Sequence, residues 1–100
     1  MSNPLRAVVV PRRPLVLLAD DHANWGSVAA VLEQTGCAVE LARDAATALA
    51  RAIQPPPVTV VVARLRAAED SAALIASLRV AFPRRRVPVV VVQSGGAGPP

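Results

Sequence analysis

Lysine and tyrosine are absent from this 100-residue chain, cysteine and methionine occur once each, and only Trp25 and Phe82 are aromatic. A lone cysteine, Cys37, excludes an internal disulfide and a cysteine-built metal cage, which suits a reducing compartment. So few rings leave little to stack on nucleic-acid bases. The eleven arginines are scattered from Arg6 to Arg86, so the net charge of +4 reads as a solvated basic surface, and no nucleic-acid partner is expected. No GxGxxG turn follows the first apolar run and no Walker-type loop exists, which leaves a nucleotide site without support. Long apolar runs are also missing. Ala7–Val10 is broken by Pro11, Arg12, Arg13 and Pro14, too short for a secretory signal and far short of the ~18 residues of a membrane span. A soluble, cytoplasmic protein with no membrane contact is expected.

What the chain has in quantity is aliphatic. With 53% apolar residues it is too hydrophobic to be disordered, and its core must be built from Ala, Val and Leu. Its length suffices for one core and hence one domain. The ten prolines and five glycines lie mostly in clusters, which excludes collagen and low-complexity classes.

Residues 1–14, with prolines at 4, 11 and 14, read as a flexible Pro/Arg leader. Order is expected from Leu15 to residue 94, and residues 95–100 read as a flexible tail. The continuous run Leu15–Ala19 predicts a strand buried on both faces, ending at Asp20-Asp21-His22. Trp25, Val28, Ala29 and Leu32 share one face of a helix from about Ala23 or Asn24 to Thr35, with Gly36 as its stop. Cys37–Ala42 predicts a second strand. Asp44 is a candidate N-cap for a helix to Gln54, with Leu49 and Ile53 beside Ala45, Ala46 and Ala52 on its apolar face. The prolines at 55–57 end it, and the β-branched run Val58–Ala63 predicts a third strand. A third helix is expected from Asp70 to Phe82, with Leu74, Ile75, Leu78 and Phe82 inward, and Val87–Val92 predicts a fourth strand. Strand and helix in alternation imply an α/β fold with a parallel sheet and helices on both faces.

In such sheets the ligand crevice lies beyond the carboxyl ends of the strands, where Asp20 and Asp21 fall. Adjacent carboxylates repel unless a cation or hydrogen bonds compensate them, and Mg²⁺ is the hard divalent ion that suits such a pair. The plainer reading makes one of them a helix cap. His22 reads as a surface residue or helix-start donor, Cys37 as a small buried hydrophobe, Trp25 as packing for the first helix, and Arg84-Arg85-Arg86 as a solvated turn. One histidine, one cysteine and seven acids make no nucleophile–base pair and no closed ligand set, so enzymatic turnover is not expected.

Taken together, PLVLLADDH at 14–22, EQTG at 33–36, VELARDAATAL at 39–49 and VPVVVV at 87–92 resemble the receiver domain of bacterial two-component response regulators over about residues 14–94. The resemblance implies a flavodoxin-like open parallel sheet in three αβα layers with strand order 2-1-3-4-5. Here it is shortened to about four strands and three helices. It further implies Mg²⁺ on Asp20 and Asp21, a phosphoacceptor aspartate ending strand three, a switch hydroxyl ending strand four, and a lysine ending strand five. The acceptor position falls on Ala63, with Arg64 beside it, and no aspartate lies between Asp44 and Asp70. The hydroxyl position falls on Gln93, or on Ser94 after a slip of one residue, and there is no lysine.

These departures belong together. Three carboxylates need Mg²⁺ and a lysine to offset their repulsion; without the acceptor, the Arg64 guanidinium could take over the metal's electrostatic role through fixed hydrogen bonds. The expected function is therefore a degenerate receiver-like module of phosphorelay signal transduction that works by phosphorylation-independent contact with a histidine kinase or other signalling protein. Mg²⁺ binding is expected to be weak or absent. The alternatives are a truncated receiver fragment with no independent function, and a working phosphoacceptor at another position. Lacking a fifth strand, Val89–Val92 is expected to be an exposed edge that pairs with a partner or with a second copy.

Overall fold

The computed structural model describes residues 13–93. Four strands, β1 (Leu15–Asp20), β2 (Ala38–Ala42), β3 (Val60–Arg64) and β4 (Val89–Val91), alternate with three helices, α1 (Trp25–Gln34), α2 (Ala45–Ala52) and α3 (Ala68–Ala81). The strands form one sheet in the order β2-β1-β3-β4 with every pairing parallel. The two central strands are the apolar runs LVLLAD and VVVAR. This placement follows from their composition, because an interior strand of a parallel sheet is covered on both faces.

Alternation along β1 divides the core. Leu17 and Ala19 face α2 and α3 and pack with Val61, Ala63, Ala48, Ala52, Leu74 and Leu78, while Val16 and Leu18 face α1 and pack with Val62 and Ala29. The result is the three-layer, flavodoxin-like α/β arrangement expected of the sequence. The expected leader lies almost wholly outside the described residues and the expected tail entirely so, as does Ser94. Among the described residues, no helix is long and apolar enough to cross a membrane.

Local signals set most boundaries. α1 closes with the N–H of Gly36 donating to the Glu33 carbonyl at 3.0 Å and that of Cys37 donating to the Leu32 carbonyl at 3.3 Å. This double closure is a Schellman motif, and its turn residue Gly36 has φ +93°, a conformation in which a Cβ is penalised. The N-cap of α2 is Asp44, whose side chain accepts from the Thr47 N–H at 2.7 Å. α3 begins two residues earlier than expected, at Ala68, which puts Glu69 and Asp70 in its first turn, where the helix dipole favours negative charge.

Three expectations need correction. Ile53 is 55% exposed just beyond the end of α2, whose inward face is Ala48 and Ala52. Ile53 still closes the helix with its N–H on the Leu49 carbonyl at 3.2 Å, but it lies past the inward stripe made by Ala45, Ala48, Leu49 and Ala52. Trp25 is 37% exposed and lies outside the α1-side core, which uses Val28, Ala29 and Leu32. Strand β3 starts at Val60 and runs through Arg64, whereas Val58 is buried without being part of it.

Candidate functional site

The carboxyl ends of β1 and β3 lie side by side, with Ala19 opposite Ala63 and Asp20 opposite Arg64. Paired residues in a parallel ladder present their side chains on the same face. Arg64 therefore shares the face of Asp20, while Ala63, one residue earlier, is fully buried in the α2/α3 core.

Asp20 is fully buried, and both of its oxygens are engaged. Arg64 Nε donates to Oδ2 at 2.7 Å, and the backbone N–H of His22 donates to Oδ1 at 2.8 Å. Arg64 also donates from a terminal nitrogen to Asn24 Oδ1 at 2.6 Å. That bond explains why Asn24, at the N-cap position of α1, makes no side-chain cap hydrogen bond: its carbonyl oxygen serves the guanidinium. Burial by itself would raise the Asp20 pKa. The hydrogen bond and charge of Arg64, together with the donors of His22, outweigh it and hold the carboxyl below its ordinary value.

His22 joins the same cluster. Its Nδ1 lies 3.1 Å from Asp20 Oδ1 and 3.1 Å from the Arg64 carbonyl oxygen, and 3.3 Å from Asp21 Oδ1. All three neighbours are acceptors, so the consistent tautomer carries its proton on Nδ1. Asp21 is half-buried and turns to β3's exit, where both its oxygens accept from the Arg66 N–H at 3.1 and 3.3 Å. Arg43, from the end of β2, donates to the His22 carbonyl at 2.8 Å and ties down the loop. Among the described residues no buried side-chain nitrogen or oxygen lacks a partner.

Ligand atoms of Asp20, Asp21 and His22 lie within 4.8 Å of one another, so the sequence does bring three metal-capable side chains together. Their chemistry is a poor match for Mg²⁺, which wants oxygen donors and open positions for water. Asp20 Oδ2 already holds a guanidinium, and a hard cation there would face a fixed positive charge at hydrogen-bond distance. The third member offers a protonated imidazole nitrogen.

Asp20, Asp21 and Arg64 were all within reach of sequence reasoning. Asn24, His22 and Arg43 were not assigned their parts, since a cap-type residue, a loop histidine and an arginine before Asp44 each have commoner local uses. Gln93 is exposed at the end of β4, away from these contacts.

No family model matches the chain, and no curated protein matches it either. Among solved structures it is similar to the signal receiver domain of an HD domain-containing protein from Pseudomonas fluorescens Pf-5. The TM-score is 0.68 at 22% identity, over 85% of this chain and 67% of that one. The likeness establishes a receiver-like fold. The Asp20–Arg64 pair therefore sits at the carboxyl edge of that fold's central strands.

Proposed function

We propose that the chain is a receiver-like signalling module in which an internal ion pair replaces phosphoryl chemistry, and that it acts through phosphorylation-independent contact with a histidine kinase or another signalling protein. The observation that carries this reading is the Arg64 guanidinium seated on buried Asp20, at the end of β3 one residue beyond the Ala63 position expected for a receiver's third acid and on the face that Asp20 occupies. An acid there would add charge repelled by Asp20, and Mg²⁺ would be needed to offset it. Arginine instead neutralises the site internally, with bonds of fixed direction. The described acids nearest in sequence beyond Arg64 are Glu69 and Asp70, both in the first turn of α3 rather than at a strand end.

The reading further entails no catalytic turnover and little affinity for Mg²⁺. It is tested by incubating the full chain with acetyl phosphate and Mg²⁺, followed by intact mass and an amide-shift titration. The expected result is unchanged mass and unmoved Asp20 and Asp21 amides. One added phosphoryl group, or saturation near millimolar Mg²⁺, overturns it.

A further inference from the structure

Because all four strands run the same way, each helix returns the chain to one end of the sheet, the end where strands begin. Charge is divided between the two ends. Of the seven acids, Asp20, Asp21, Asp44, Glu69 and Asp70 stand where strands end or helices begin, and Glu40 is held by Arg51. The remaining acid is Glu33, close to the end of α1. Arginine dominates the strand-start end: Arg13 precedes β1, Arg79 lies in the last turn of α3, and Arg84, Arg85 and Arg86 form the turn into β4. Arg85 donates to the Val58 carbonyl at 3.2 Å and lies over the Phe82 ring at 5.9 Å, which pins this turn near the start of β3. Arg84 and Arg86 flank it, exposed, and neither forms an ion pair with a described residue. Arginines scattered along the sequence thus gather on one rim.

The same rim carries exposed apolar side chains. Val80 is 81% exposed and lies on the side of α3 opposite the buried stripe of Ser71, Leu74 and Leu78, so it points away from the sheet whatever stands beside the helix. Exposed Ile53 ends α2, and α2 packs beside α3 through Ala48, Ala52, Leu74 and Leu78. Both apolar tips therefore sit at the end that holds the arginines.

We infer that this rim docks on an anionic lipid surface, with the Arg84–Arg86 turn on the charged headgroups and with Val80 and Ile53 entering the headgroup layer. The surface potential of a negative membrane draws the guanidiniums, and the apolar tips add burial that a purely electrostatic contact lacks. A nucleic-acid backbone would satisfy the arginines but leave Val80 and Ile53 against phosphate and water. The acids at the other end favour one orientation, with the Asp20–Arg64 site facing away from the membrane. Such a contact needs no spanning helix, so it departs from the expected lack of membrane contact, which followed from the missing apolar span alone.

The test is co-sedimentation of the full chain with vesicles of phosphatidylcholine alone, or of phosphatidylcholine with about a third phosphatidylserine. Binding is expected on the anionic vesicles, at least about tenfold weaker on the neutral ones, and largely lost between about 0.1 M and about 0.5 M salt. Arg84→Gln with Arg86→Gln should weaken it about tenfold. Ala46→Glu with Ala73→Glu makes the same change of net charge at exposed positions nearer the other end, and should cost about twofold or less. Val80→Ser with Ile53→Ser should weaken binding by about tenfold with no change of charge. All three double variants should keep the circular dichroism and melting temperature of the wild type. No binding at millimolar lipid, equal binding to both vesicles, equal loss in the two charge variants, full binding by the serine variant, or displacement by a DNA duplex at matched negative charge would each overturn the inference. None of these variants alters Asp20 or Arg64, so the result stands apart from the phosphorylation test.

Discussion

Arg64 ends a strand otherwise made of valine and alanine, and its side chain is 11% exposed. Such a charge is tolerable inside only because Asp20 and Asn24 receive its donors. Removing one member of a buried pair leaves the other charged and unpaired. Because the guanidinium keeps slight solvent access, Arg64→Met should cost about 3 kcal/mol at pH 7, the low end of the usual range. The pH dependence has a definite sign. The Asp20 pKa is lowered in the fold, so its contribution is fully present above the unfolded carboxylate value and is lost as pH falls through the depressed folded value. The gap between wild type and Arg64→Met in urea unfolding should therefore shrink from pH 7 to pH 3, and a gap independent of pH would refute the pairing. The acids at 20 and 21 were legible because they end an apolar run abruptly. Arg64 was anticipated as their counter-charge, but that position 64 rather than 63 pairs with Asp20 was not, because facing depends on the β1–β3 register.

At the scale of elements, capping and turn chemistry explain why the helices end where they do. Gly36 has open space around the point where a Cβ would stand, so nothing but its left-handed backbone opposes a side chain. Gly36→Ala should accordingly lower stability by about 1–2 kcal/mol in urea unfolding, and Gly36→Asn by less, since asparagine tolerates that conformation. Equal losses would point to a steric cause instead. All seven elements were visible in the sequence, because apolar runs, Gly36, Asp44 and the 55–57 prolines are local signals. Their ends shifted by a residue or two at most boundaries, and α2 turned its alanines inward because small side chains let a helix lie close to the sheet and to α3. The N-terminus of α1 shows the converse, with Asn24 diverted from capping by an arginine far away in sequence.

For the molecule as a whole, the contrast is between a closed edge chemistry at Asp20 and an open one at β4. Val62 is buried beneath the α1 layer, but its ladder neighbour Val90 lies beyond that cover. A β-branched apolar edge is an aggregation template. Val90→Lys should leave unfolding free energy within about 0.5 kcal/mol of wild type, as for other exposed substitutions, while lowering light scattering in concentrated solution. Unchanged scattering would show that this edge does not drive association. The flavodoxin-like layering and an exposed Val89–Val92 edge could be anticipated from the sequence, yet the exposure of Val90 beyond the α1 layer emerged only once the layers were assembled.

The amino-acid order by itself determined the alternation of strands and helices, the parallel sheet, and a pair of acids at a strand end, because each is written in a stretch of fewer than about twenty residues whose hydrophobic period or turn chemistry is local. Tertiary structure alone decided that Arg64 would take Asp20 rather than Asp21, and that Asn24 and His22 would complete the cluster. These outcomes depend on the register between β1 and β3, whose facing residues Asp20 and Arg64 stand 44 positions apart, and a shift of one position would send Arg64 to the opposite face.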